Sequence, residues 1–247
     1  MDPKGNISLE GMMNPRKMGL ILIVALLCVC LFVSVAEAKK KKKNIGVSSK
    51  IGQVGADVGL NLFGVIPYGT MNKQKGEVDE DASISGTGGI GPYLGLHGHL
   101  MFSGWIVRGE FGYGYQGGTF KANYDNKELE DDDAEFSLND LRIGAGFGKT
   151  LVKHRIIHPY LIGVLDYHYL TFRDKDWQES AKGSGVGIGA LVGVDVMFLK
   201  HFFAGAGVRA DMIYSLNPLK LEHKGTTREI KMGYVPFTLF FTGGLMF

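Results

Sequence analysis

Cysteine is nearly absent from this 247-residue chain, and both examples, Cys28 and Cys30, fall inside one N-terminal apolar run. Everything after residue 30 therefore lacks a disulfide framework, a thiolate metal site and a catalytic thiol. Proline is scarce as well, at 7 residues, which excludes a proline-rich or polyproline protein. Charge of one sign is missing: 27 Lys and Arg stand against 25 Asp and Glu, a formal net charge of +2. With no basic excess to neutralise phosphates, nucleic acid is excluded as a partner. After residue 38 no apolar run is long enough for a transmembrane helix, and no 3.6-residue apolar stripe persists. What is abundant is glycine, with 37 residues, about 15% of the chain and roughly twice the usual share. No Gly-X-Y period accompanies it, so collagen is excluded too.

The N-terminus has the layout of a secretory signal. Arg16 and Lys17 precede an uncharged apolar run from Gly19 to Val35, and Ala36-Glu37-Ala38 supplies small residues where a signal peptidase reads. Residues 1–38 are thus expected to be a cleaved signal peptide, with the true start at Met1, Met12 or Met13. Five lysines, Lys39 to Lys43, follow the cut and open a lysine-rich arm over 39–47. Positive charge there opposes translocation, and the competing reading is an uncleaved anchor. The run of about 17 residues is short for a span, which takes about 20.

From residue 48 the chain reads with a period of two, the signature of strands with two unlike faces. Eight segments share it. In the sixth, Val186, Ile188, Ala190, Val192, Val194, Val196 and Phe198 oppose Gly185, Gly187, Gly189, Gly193 and Asp195. In the third, Trp105, Val107, Phe111, Tyr113 and Tyr115 oppose Arg108, Glu110, Gly112, Gly114 and Gln116. Every charge within the segments sits on the glycine side: Asp57, Arg108, Glu110, Asp140, Arg142, Asp166, Asp195, Arg209 and Asp211. His168 shares that side. A soluble sandwich also alternates, but its wet face is not built of glycine relieved by acids and arginines. Glycine on a polar face fits a narrow lumen crowded by eight strands, with the apolar face turned to lipid.

Connection lengths agree. They run roughly 20, 2, 20, 7, 12, 3 and 16 residues, the long-short alternation of a barrel with long extracellular loops and short periplasmic turns. Tyr113, Tyr115, Tyr167, Tyr169 and Tyr214 fall beside long connections, and Phe102, Trp105, Phe147, Phe198, Phe202 and Phe247 beside short ones or the terminus. Two aromatic belts are what membrane interfaces select. The expected fold is all-β: an eight-stranded antiparallel up-and-down transmembrane β-barrel over residues 48–247, in the bacterial outer membrane. In hydrocarbon every backbone polar group needs a partner, so the sheet must close.

The chain ends FTLFFTGGLMF, with Phe237, Leu239, Phe241, Leu245 and Phe247 on one face. This resembles the terminal-strand signal of bacterial outer-membrane proteins, although Thr242 holds the usual glycine position. With eight strands, the chain resembles the small outer-membrane barrels of the OmpA-transmembrane-domain and OmpX type, by architecture over residues 48–247. The resemblance implies folding through the barrel-assembly machinery and contact with outer-membrane lipid and lipopolysaccharide.

Inward acids and arginines are expected to pair into a plug of salt bridges, since unpaired buried charge is costly. His97 and His99, two residues apart on the inward face, have the spacing of metal ligands but no third ligand, and are expected to join that network. Asp125, Glu128, Glu130, Asp131, Asp132, Asp133 and Glu135 crowd one long connection without a calcium-loop pattern, and read as solvated surface. No His-x-Ser stretch of the kind used by lipid A hydrolases occurs, so no catalytic residue, metal or cofactor is assigned. The expected function is a non-enzymatic outer-membrane barrel serving envelope integrity or surface interaction through its extracellular loops. The alternatives are a narrow channel or small-solute conduit, and an enzyme acting on lipid A or phospholipid.

Overall fold

The computed structural model describes residues 52–247 apart from 76–77, 125–131, 153–155, 176–177, 199–200 and 224. The signal segment, the lysine arm and the loop acids Asp125, Glu128, Glu130 and Asp131 lie outside the described residues, and of Asp132 and Asp133 only the backbone is described.

Ten strands follow one another: β1 (Gly52–Lys75), β2 (Val78–Gly88), β3 (Gly91–Phe102), β4 (Trp105–Tyr124), β5 (Asp132–Thr150), β6 (Ile157–Asp174), β7 (Ser180–Phe198), β8 (Phe202–Ser215), β9 (Leu219–His223) and β10 (Thr226–Met246). Antiparallel ladders join β1, β3, β4, β5, β6, β7, β8 and β10 in turn, and β10 returns to β1. Reciprocal bonds between Gly52 and Phe247, at 3.1 and 3.0 Å, fasten the closing seam at its lower end. β2 and β9 are not additional staves. Above Gly89-Ile90, β2 takes over from β3 between β1 and β4; above Leu216–Pro218, β9 takes over from β8 beside β10. The barrel therefore has eight staves, as the alternation predicts.

The second interruption has a chemical cause. The β7–β8 register ends where the Leu216 N–H donates to the Ser184 carbonyl at 2.8 Å. Two residues later Pro218 has no N–H to give. β9 resumes paired with β10 and with no other described strand.

The expected long connections need correction. Most of their residues are strand: β1 runs on to Lys75, β4 to Tyr124, β6 to Asp174, and β10 begins at Thr226. Alternation continues along these extensions, but its polarity reverses. On β4 the inward positions change from Arg108 and Glu110 to buried Phe120 and Ala122, while the outward ones change from Val107 and Phe111 to exposed Thr119 and Lys121. The same exchange separates Asp140 from Leu138 and Phe136, and His168 from Leu170 and Phe172.

The molecule is thus two barrels in one. The lower part is inside out: Leu94, Ile143, Leu165, Ile188, Val208 and Phe241 are 49–65% exposed on the outer wall. From Val186 to Phe198 this wall spans roughly 30 Å, at about 3.3 Å per residue and a tilt of about 40°. The upper part is the right way out, with one apolar core that includes Ile66, Met71, Phe120, Phe136, Phe172, Leu219, Leu221 and Ile230.

Candidate functional site

Every sequence-predicted inward residue is inward. Asp57, Arg108, Glu110, Arg142, Asp166, His168, Asp195, Arg209 and Asp211 are buried, and Asp140 is nearly so. Strand parity brings them to the axis, and the residue across the ladder is so often glycine that Asp57, Arg108, Glu110, Arg142, Asp166, Arg209 and Asp211 meet in one networked tier. Asp140 pairs with His168 instead of an arginine. Asp195, expected to join the plug, makes no ion pair among the described residues. Asp57 lies opposite Gly95, Glu110 opposite Gly144, Asp166 opposite Gly144 and Gly187, Asp195 opposite Gly205, and Asp211 opposite Gly189. A Cβ at Gly189 would stand 2.0 Å from the Asp211 carboxylate, and one at Gly205 would stand 2.4 Å from that of Asp195. The glycines are the volume into which the ions fold.

Three arginines organise the tier. Arg209 donates through Nε to Asp211 at 2.6 Å, and through its two Nη groups to Glu110 and Asp166. Arg108 donates through Nε to Glu110 at 2.5 Å and through Nη2 to Asp57 at 2.9 Å. Arg142 donates to Asp211 at 3.1 Å and lies 4.4 Å from the centre of the Tyr93 ring. Each guanidinium spans strands that are not neighbours: β4 to β1, β8 to β4 and β6, β5 to β8. Multidentate pairing of this kind offsets the cost of burying ions, which isolated charges at this depth could not meet.

His97 and His99 belong to the same network. A guanidinium can only donate, so Arg108 Nη1, 2.9 Å from His99 Nε2, fixes that nitrogen as acceptor. The other His99 nitrogen then carries the proton and donates to Gln53 Oε1 at 2.8 Å. His97 faces Asp57 at 3.1 Å and lies tilted against His99 with ring centres 4.8 Å apart. His168 reaches Asp140 at 2.8 Å. Both nitrogens of His99 are engaged with protein, and among the described residues no group of three His, Cys, Asp or Glu side chains is placed to hold a metal ion. The loop acid Glu135 pairs with Lys175 at 2.9 Å on the exposed surface.

The alternation puts several uncharged polar residues on the inward side without assigning them to the network. Gln53, Asn61, Thr238 and Thr242 are buried there, and Thr238 donates to Asn61 at 2.7 Å. Their parity matched that of the charges, which was the available signal. Tyr93 and Tyr160, also inward, belong to a second apolar cluster with Ile106, Ile162, Leu191 and Phe240. Where the network meets the upper core there is a cavity of about 10 Å³, roughly the room one water needs. Gln116, Arg142 and Tyr234 line it, and each has a buried polar atom with no hydrogen-bond partner among the described residues. Higher still, Arg228 bridges buried Asp174 at 3.1 Å.

The outer wall completes the picture. Tyr68, Tyr113, Tyr167, Tyr169 and Tyr214 ring its upper margin, with Tyr68 and Tyr214 5.8 Å apart. Phe102, Trp105, Phe147, Phe198 and Phe202 ring the lower one, with Trp105 stacked on Phe147 at 5.0 Å. Phe237, Leu239, Phe241, Leu245 and Phe247 of the C-terminal strand lie on this wall, opposite in parity to buried Thr238, Phe240 and Thr242. A closed sheet with an apolar wall between two aromatic girdles is satisfied only by acyl chains.

Among solved structures, the chain is similar to the outer membrane protein OprG from Pseudomonas aeruginosa, with 17% identity and a TM-score of 0.52 over 80% of this chain and 97% of that one. Weaker likenesses are to Neisserial surface protein A, with 12% identity, a TM-score of 0.38 and coverage of 75% and 95%. The attachment invasion locus protein Ail of Yersinia pestis follows, with 12% identity, a TM-score of 0.33 and coverage of 76% and 99%. OprG bears on the fold alone, and the two weaker likenesses carry no argument. No protein-family model and no curated sequence matches the chain. Fold and lipid-facing wall together define the class: this is an outer-membrane β-barrel protein.

Proposed function

We propose that the protein is a non-conducting, non-enzymatic barrel that serves envelope integrity or surface interaction, and that the β-extension above the tyrosine girdle is its working surface outside the cell. One observation carries the reading: the lumen is filled twice in series, by the ion network and then by the apolar core. A hydrated solute that passed Arg209 and Glu110 would next meet Phe120, Phe136 and Phe172, three rings packed within 5.3–6.3 Å of one another. The rings offer nothing to replace its hydration, and Asp174 opposite Phe136 is already held by Arg228, so such a constriction excludes ions. The expected partners are outer-membrane lipid, lipopolysaccharide and, during biogenesis, the barrel-assembly machinery, which would read the outward apolar face of β10.

Purified protein in a planar bilayer tests the reading. Conductance is expected to stay at baseline; steady single-channel current would replace the proposal with the narrow-channel reading. Incubation with lipopolysaccharide, followed by lipid A mass measurement, is expected to show no change. A new mass would point to the enzyme reading instead.

A further inference from the structure

The outward charges of the extension are not all alike. Lys175 pairs with Glu135, and Lys220 pairs with Glu229. Arg173 on β6 and Lys182 on β7 are exposed and form no ion pair with a described acid. Their neighbours Phe172, Asp174 and Ala181 are buried, at 1%, 0% and 2% exposure, so strand parity turns both cations to the outside.

The β6–β7 register sets Arg173 opposite Ser180, Thr171 opposite Lys182, and Tyr169 opposite Ser184. Arg173 and Lys182 are therefore diagonal neighbours on one face, within reach of a shared ligand. Thr171 and Ser180 complete the diagonal with hydroxyls, and Tyr169, 37% exposed, lies directly below. Tyr169 belongs to the upper girdle, so the two cations stand two to four residues above it, at the level of lipid headgroups. Of the described acids around them, Glu135 is engaged with Lys175, Glu179 with His223 at 3.9 Å and Asp174 inside the barrel with Arg228. Glu222, exposed on β9, makes no ion pair with either cation.

We propose that Arg173 and Lys182, with Thr171 and Ser180, form a binding site for the phosphorylated saccharide headgroup of an outer-leaflet lipid. The guanidinium offers planar donors to a phosphate, the ammonium adds a second charge, and the hydroxyls and the Tyr169 ring match sugar. This assignment rests on the outer-membrane reading and on the extension facing out of the cell. It deepens the general expectation of lipopolysaccharide contact by naming the patch that makes it.

The test uses the full barrel in phosphatidylcholine vesicles, with lipopolysaccharide or its dephosphorylated form added. Heat-modifiable gel mobility reports whether the barrel is folded, and the unfolding midpoint at increasing lipid reports binding. Intact lipopolysaccharide is expected to raise the midpoint more than the dephosphorylated lipid does. The Arg173→Gln/Lys182→Gln double variant is expected to need roughly thirtyfold more of it, the effect of two juxtamembrane cations. A Lys220→Gln variant, which removes a cation already paired, is expected to respond like the unaltered protein. Equal responses to the two lipids, or a double variant that behaves like the parent, would overturn the site while leaving the barrel intact. Failure of the unaltered chain to enter vesicles as a heat-modifiable species would instead overturn the outer-membrane reading itself.

Discussion

Below the tyrosine girdle, Leu165 and Val192 stand outward and Arg209 stands on the axis; above it, Lys182 and Thr119 stand outward and Phe136 stands on the axis. The same strands build both regions, and β4 passes from one to the other without a break. Strand geometry is indifferent to which face is wet. What differs is the surroundings: acyl chains below demand an apolar wall and leave the polar groups to satisfy one another inside, while water above restores the usual order. The level at which the exchange occurs, near Gln116 and Asp140, marks where the chain leaves the membrane.

The comparison can be broken most forcefully at Arg209. Arg209→Ala strands Asp211, Glu110 and Asp166 without their shared cation, and the unfolding free energy in vesicles is expected to fall by about 5 kcal/mol. A loss below about 1 kcal/mol would mean that the tier is not held by these ions. Phe136→Ala attacks the other filling, with an expected cost of about 3–4 kcal/mol. Here the loss should be local: proteolysis of the extension accelerates while heat-modifiable mobility persists. Simultaneous collapse of both parts would show that they are not separable.

A matched pair sharpens the contrast between the walls. Leu165→Arg places a charge among acyl chains and is expected to cost about 2–3 kcal/mol, whereas Thr119→Arg on the upper wall is expected to be near neutral. Equal costs would erase the boundary drawn between them. The smallest effect is expected for Lys175→Ala, which removes an exposed ion pair worth about 0.5 kcal/mol or less. A shift as large as that of Phe136→Ala would show that the Glu135 contact orders the hairpin.

The lower region was legible in the sequence almost residue by residue, because lipid imposes one rule on every stave: charge inward, bulk outward, glycine where ions need room. The extension was not, because a constant apolar face ends where the phase reverses. Phe120 with Ala122, Leu138 with Phe136, and Ile230 with Met232 keep the period of two but exchange its sides. Such segments resemble polar loops when only the outward residues are tracked. Partner choice among the ions was also out of reach. Parity brings Glu110 and Arg209 to the axis, but that they touch depends on the shear of the closed sheet, which no single strand encodes.

That contact has a bearing on how the protein comes to exist. Glu110 meets its second guanidinium 99 residues further along the chain, Asp166 depends on one 43 residues further along, and Asp57 on one 51 residues away. Arg108 and Arg209 each neutralise an acid of their own strand. Asp166, however, lacks its guanidinium until β8 arrives, so a half-made sheet pushed into the bilayer would present an unpaired carboxylate to oil. Insertion and closure must then be a single act, with the last strand arriving before the first is released.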